Sequence, residues 1–149
     1  RHKVWTYEGG IATPMIVRWP GNVKAGAMTS EPGHLVDFMP TLLELAGGDY
    51  PTERGGEKIP EMEGESLTPI LRGGTLAGRE PLFWALMGNR AVREGDWKLV
   101  WGASDKRWEL YDLAKDRTET KDLASAMPGR VTSMAAKWNE WAKKTEVSP

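Results

Sequence analysis

The chain contains no cysteine. Disulfides, thiolate metal sites and a cysteine nucleophile are therefore excluded within its 149 residues. The compartment stays open, because cysteine-free proteins occur on both sides of a cell membrane. Charge of one sign is also missing in excess: the net charge is −1. Such a balance gives no polyanion-binding field and argues against nucleic acid as a partner. No apolar run approaches the ~18 residues of a membrane span. The opening residues carry no signal-peptide pattern, and any leader of a longer parent would lie upstream of Arg1. Phenylalanine is scarce, with two residues against eight tryptophans. Two readings of the tryptophans stand: core and half-buried sheet packing, which is favoured, or a carbohydrate-stacking platform.

What is present reads as two halves. Residues 14–20 (PMIVRWP) form an apolar run between prolines and are expected to be one strand, with Gly9 and Gly10 before it allowing a tight turn. The run is apolar on both faces except at Arg18, as a strand buried in a larger sheet would be. Residues 34–46 predict a helix, with Val36, Met39, Leu42, Leu43 and Ala46 recurring at helical spacing and Gly47-Gly48 as its stop. Residues 48–65 read as a long polar loop, and SLTPILRGG as a short helix capped by Ser66 and ended by Gly73.

From Glu80 the period changes. PLFWALM, NRAVRE, WKLVW and WELYDL are four short β-type runs separated by turn signals at Gly88-Asn89, Gly95-Asp96 and Ala103-Ser104-Asp105. Close spacing without intervening helices predicts an antiparallel meander. Residues 116–124 predict a turn followed by a helical turn, with Asp116 as its cap. Residues 127–145 predict a helix whose stripe Val131, Met134, Ala135, Trp138, Trp141 and Ala142 would lie across the sheet.

These pieces together resemble a known family. Lys3 precedes Tyr7-Glu8-Gly9-Gly10, followed by Pro14 and Trp19-Pro20-Gly21. His34, Asp37, Pro40, Thr41 and Leu42 stand as H-x-x-D-x-x-P-T-L, followed by Gly64-x-Ser66-Leu67 and Leu71-Arg72-Gly73. Asn89-Arg90-Ala91-Val92-Arg93, Gly95-Asp96-Trp97-Lys98-Leu99 and Glu109-Leu110-Tyr111-Asp112-Leu113 complete the order, with Asp116, Glu119 and Leu123 behind them. In that order and spacing the chain resembles the C-terminal portion of a sulfatase, in the arylsulfatase family of the alkaline-phosphatase superfamily.

The resemblance implies an α/β fold that is α+β in this chain. Residues 1–79 would be the last strand and helix of the large α/β domain, and residues 80–149 a small α+β subdomain. It implies sulfate-ester hydrolysis with a formylglycine nucleophile and calcium in the full-length parent. Neither the C/S-x-P-S-R nucleophile motif nor an Asp-Asn pair before Lys3 is present, so no catalytic residue and no metal ligand is assigned, and the chain alone is expected to be inactive. The substrate would be a sulfated small molecule or carbohydrate, and the N-terminal part of the same protein would be the main partner. Location is unassigned, with periplasmic or extracellular as the family habit.

One family role carries over directly. Lys3 stands where the family places a sulfate-contacting lysine, five residues before the glutamate of Glu-Gly-Gly; a solvated lysine is the plain alternative. His2 beside it, and Asn89 and Arg90 at the start of the second run of the meander, are the other substrate-binding candidates. Ion pairing is the plain reading for Arg90, and helix capping for His34. Glu8 is expected to hydrogen-bond the Gly-Gly turn. The acidic residues Asp112, Asp116, Glu119 and Asp122 lack the D-x-D-x-D-G order of a calcium loop and read as a structural turn. Two other functions fit less well: a phosphate or phosphonate monoester hydrolase of the same superfamily, or a non-catalytic carbohydrate-binding module.

Overall fold

A computed structural model describes residues 2–76 and 78–147. The chain divides into two compact units, one made of Met15–Arg79 and the other of the residues up to 14 together with those from 80 onward.

The second of these is built on the meander. Strands β3 (Leu82–Leu86), β4 (Asn89–Glu94), β5 (Trp97–Trp101) and β6 (Trp108–Asp112) pair antiparallel in the order β3-β4-β5-β6. Met87 (φ 49°) and Gly88 (φ 77°) join β3 to β4 in a two-residue turn with both φ angles positive, whose twist matches the strands. The strand period then sorts side chains onto two faces. Val92, Leu99 and Leu110 align across the register and are fully buried on one face. Helix α4 (Pro128–Lys144) covers them with Met134, Trp138 and Ala142. Burying such side chains contributes roughly 1.5–3 kcal/mol each. The indoles mostly serve this packing: Trp108 and Trp138 meet edge to face, and Phe83 stacks on Trp141 at 5.2 Å. Trp138 Nε1 also donates to the Trp84 carbonyl oxygen at 3.0 Å, so its polar edge is satisfied.

The opposite face carries Ala91, Val100 and Tyr111, and it too is covered. Its cover is the N-terminal segment, with Tyr7 buried and Trp5 packed beside it. Helix α1 (Glu8–Ile11) is a single turn within that segment. Thus residues 2–14 group with the sheet, whereas the sequence boundary set residues 1–79 apart from residues 80–149. After β6, residues 114–126 form turns without a regular helix, and Asp116 accepts from the Thr120 and Lys121 N–H groups at 2.8 Å each.

The Met15–Arg79 unit is organised around one buried carboxylate. A 3-10 turn (Leu35–Asp37) leads into α2 (Phe38–Ala46), which ends at Gly47 in the left-handed conformation. His34 caps this start: its Nδ1 accepts from Val36 N–H, while Asp37 accepts from His34 N–H at 2.6 Å. Asp37 further accepts from Glu65 N–H at 3.0 Å, and Arg79 Nη2 donates to both its oxygens at 2.8 Å. Thr41 Oγ1 donates to the Asp37 carbonyl and accepts from Leu67 N–H, fixing the entry to α3 (Thr68–Leu71). Gly64 (φ 86°) admits this closeness, since a Cβ there would lie 2.6 Å from the Val36 carbonyl oxygen. The spacing from His34 to Ser66 is therefore the wiring of a polar hub.

Two sequence expectations fail in this unit. Residues 14–20 form no strand: they pair with no neighbour, and Ile16 is 95% exposed. A strand is defined by its ladder, and an apolar run without a partner among these residues cannot make one. The long loop at 48–65 contains a small hairpin, β1 (Glu53–Arg54) with β2 (Glu57–Lys58), turning on Gly55 and Gly56, both at positive φ.

Candidate functional site

The candidate site is the N-terminal segment where it crosses the covered face of the sheet. Its path is held at successive points. Asn89 at the start of β4 donates from Nδ2 to the Val4 carbonyl oxygen at 3.0 Å, and its Oδ1 accepts from Ala103 N–H at 3.1 Å. Thr6 Oγ1 donates to the Arg90 carbonyl oxygen at 3.0 Å. Tyr7 OH donates to Glu109 at 2.5 Å, on a carboxylate that also accepts from Tyr111 OH at 2.9 Å and Arg107 at 2.7 Å. Burial, with Glu109 beside it, pushes the Tyr111 phenol far above its ordinary pKa. That pair is a fixed anchor, since the phenol stays protonated and donating.

Two backbone features show how tightly the first turn is wound. Val4 has φ 74°, a region that a β-branched residue enters only under constraint. Gly10 lies so close beneath the chain that a Cβ would sit 2.1 Å from the Trp5 carbonyl oxygen and 2.8 Å from that of His2. The second glycine of Glu8-Gly9-Gly10 is thus required by close approach.

The sequence candidates fall into this frame unequally. Lys3 and His2 are exposed, on the turn whose Val4 carbonyl Asn89 holds. Asn89 is itself buried and both ends of its amide serve backbone groups. Its Nδ2 therefore holds Val4, the neighbour of Lys3, while its Oδ1 anchors the amide to the Ala103 N–H. The Arg90 guanidinium points to the other face of the sheet, between Trp101 at 5.3 Å and Trp138 at 5.0 Å. There it borders a hollow of about 200 Å³ shared with Leu86, Met87, Trp138 and Val147. Its Nε is buried without a hydrogen-bond partner among the described residues, so cation–π attraction carries it. Arg90 and Lys3 are not brought together. A larger hollow of about 600 Å³ runs along α4 beside Arg130 and Glu94, and none of the four candidates lines it.

Sequence reasoning missed the buried side of this site. Lys98, next to Trp97 in β5, is fully buried and pairs with Glu8 at 2.7 Å and Glu119 at 2.8 Å. Glu8 thus answers Lys98, and the Gly10 N–H of the turn goes to the Tyr7 carbonyl oxygen at 2.8 Å instead of to the Glu8 carboxylate. The signal available was the two-residue period, which places Lys98 opposite Trp97 and Leu99. Glu119 is the inward member of the acidic run. Burial raises its carboxyl pKa, and the Lys98 ammonium opposes that rise. The other acids are engaged locally: Asp112 with Lys115 at 2.8 Å, and Asp122 with the N–H groups of Leu110 and Ala124. Among the described residues no three acidic or histidine side chains gather to hold a metal, and no helix is long and apolar enough to cross a membrane.

The chain is similar to known proteins over most of its length. The family model described as N-sulphoglucosamine sulphohydrolase, C-terminal, matches residues 2–143. A sulfatase of Formosa agariphila is 30% identical over 96% of this chain and 31% of its own length. An N-acetylglucosamine-6-O-sulfatase of Bacteroides thetaiotaomicron is 28% identical over 81% of this chain and 23% of its own. The chain therefore spans about a third or less of the curated relatives it matches. Among solved structures, one in complex with its substrate D-glucosamine-2-N,6-O-disulfate superposes with a TM-score of 0.65 at 25% identity, covering 88% of this chain and 28% of that one. A phosphonate monoester hydrolase of Silicibacter pomeroyi shares the fold, with a TM-score of 0.56 at 20% identity over 85% of this chain and 28% of its own.

Proposed function

This chain belongs to the sulfatases, in the family of N-sulphoglucosamine sulphohydrolase C-terminal regions, and from that premise we propose that it is the C-terminal part of an enzyme hydrolysing sulfate esters. The observation that carries the proposal is the family match across residues 2–143, which takes in both units. In this reading the Met15–Arg79 unit closes the large α/β domain, and the sheet unit, with residues 2–14 across it, is the small subdomain at the mouth of its cleft. Lys3 presents its ammonium to a sulfate oxygen. A compact point charge suits that task, and it acts where negative charge shifts during S–O cleavage. The strained Val4 and the Asn89 clamp support the assignment, because they fix the backbone beside Lys3 without occupying its side chain. His2, exposed on the same turn as Lys3, lines the approach for a sulfated small molecule or carbohydrate, and Arg90, held between indoles on the other face, stands outside it.

The nucleophile, a formylglycine, and the calcium that polarises the ester belong in this proposal to other parts of the full-length protein. This chain's residues supply shape and positive charge. The test is turnover by the full-length protein, matured to carry formylglycine, on an aryl sulfate and on a phosphonate monoester. Faster sulfate turnover, abolished by calcium chelation and reduced about 100-fold or more by Lys3→Ala, is expected for a charge acting in the transition state. Preference for the phosphonate would overturn the sulfatase assignment, and an unaffected Lys3→Ala would remove Lys3 from the site. The 149-residue chain alone, supplied with calcium, is expected to turn over neither ester.

A further inference from the structure

The buried lysine of β5 has a part to play in that site. Lys98 is fully buried on an interior strand of the sheet, under a segment more than eighty residues away in sequence. An unanswered ammonium there would cost several kcal/mol. Its two answers come from two loose elements. Glu8 opens the single-turn helix α1, and Glu119 lies in the loop after β6, in the left-handed conformation at φ 57°. The two residues are also linked to one another, for Glu119 Oε2 accepts from the Glu8 backbone N–H at 2.6 Å. One rigid ammonium thus ties both elements to the sheet.

The turn so tied reaches Lys3 mechanically. Gly10, two residues beyond Glu8, packs against the carbonyl oxygens of His2 and Trp5, so the His2–Lys3 and Trp5–Thr6 peptides, which bracket Lys3 and Val4, rest on the back of the clamped turn. We propose that Lys98 is a positioning residue: gripped by Glu8 and Glu119, it fixes the Glu8-Gly9-Gly10 turn and thereby the aim of Lys3. This rests on the reading that Lys3 contacts the sulfate. Lys98 itself touches no substrate, being fully enclosed.

The test is a double-mutant cycle in the full-length protein, with an aryl sulfate as substrate. Lys98→Met is expected to lower kcat/KM about 10- to 100-fold, as a displacement of a contacting group by about 1 Å does. Lys98→Arg should recover part of the loss. In a Lys3→Ala background, Lys98→Met should cost less than about a further 2-fold, because the group it aims is gone. Independent, multiplying losses would overturn the proposal, since a merely structural role is indifferent to Lys3. If Lys98→Met does not fold, Glu8→Gln carries the same cycle, because it leaves Lys98 its Glu119 partner. Hydrogen exchange over residues 2–11 reads the clamp without turnover. Faster exchange there in Lys98→Met, with β4 to β6 unchanged, supports it; unchanged exchange refutes it. Should the wild-type enzyme hydrolyse no sulfate ester, the Lys3 reading falls, while the exchange measurement still decides the clamp.

Discussion

The two units of this chain are held together by different physics. In the sheet unit, Val92, Leu99, Leu110 and Trp138 are all fully buried, and both faces of the sheet are covered. In Met15–Arg79 the buried side chains are mostly polar, with Asp37 at 0% exposure and Thr68 at 2%, while Leu42 at 63% and Met28 at 98% face outward. The first unit stands on apolar area. The second stands on hydrogen bonds to one carboxylate and leaves an apolar stripe uncovered. Contiguous exposed apolar surface of that kind marks an interaction face. It accords with the proposal that this unit completes a larger α/β domain. An amphipathic helix in a sequence therefore announces a buried face without saying which residues bury it.

The comparison can be broken hardest at its two centres. Trp138→Ala should destabilise the sheet unit by about 3–5 kcal/mol, the cost of a large core truncation, with urea denaturation followed by circular dichroism as the measure. A loss under about 1 kcal/mol would show that α4 is not the main source of burial. Asp37→Ala should cost the other unit about 3 kcal/mol by leaving the Arg79 guanidinium without its partner. Hydrogen exchange at residues 34–41 reads this locally, and protection equal to wild type would dissolve the hub. Asn89→Ala, which removes two hydrogen bonds from a buried amide, should cost about 1–3 kcal/mol and speed exchange at residues 3–5. Intact protection there would leave Val4 held by something else.

The smallest effect sharpens the contrast through pH. Burial lowers the pKa of His34 below its ordinary value, against the pull of Asp37. The native state then binds fewer protons than the unfolded one across the window between the lowered value and about 6.5. The stability that His34 contributes is present above that window and is lost as pH falls through it. Protonation also removes the Nδ1 acceptor that caps Val36. Protection of residues 34–41 should decline on acidification toward pH 5, and His34→Asn, which keeps a cap acceptor, should flatten that decline. An unchanged slope in His34→Asn would assign the effect to another group.

The sheet and α4 were legible because their signals are local. A two-residue period with Gly turns writes the meander, and the stripe from Val131 to Ala142 writes the helix. The run at residues 14–20 misled because its apolarity is local while a ladder is not. Lys98 was hidden for the same reason. Alternation places it opposite Trp97 and Leu99, a face that a four-strand sheet with one helix would leave in water. The layer that buries it comes from the far end of the chain, and no window around Lys98 contains Glu8. Of the candidate site, Lys3 and Asn89 are named by the motif, but the role of Asn89 as a backbone holder required coordinates. Gly10 stood in the motif too, and only the crowding of the His2 and Trp5 carbonyls explains it.

The crowding of indoles around α4 and the sheet has an optical consequence. Trp5, Trp84, Trp97, Trp101, Trp108, Trp138 and Trp141 belong to the sheet unit, and Trp19 alone to Met15–Arg79. Intrinsic emission excited at the indole band is therefore a reporter of one unit almost by itself. Trp19 is the single indole of Met15–Arg79, so Trp19→Phe would make indole emission a report on the sheet unit alone.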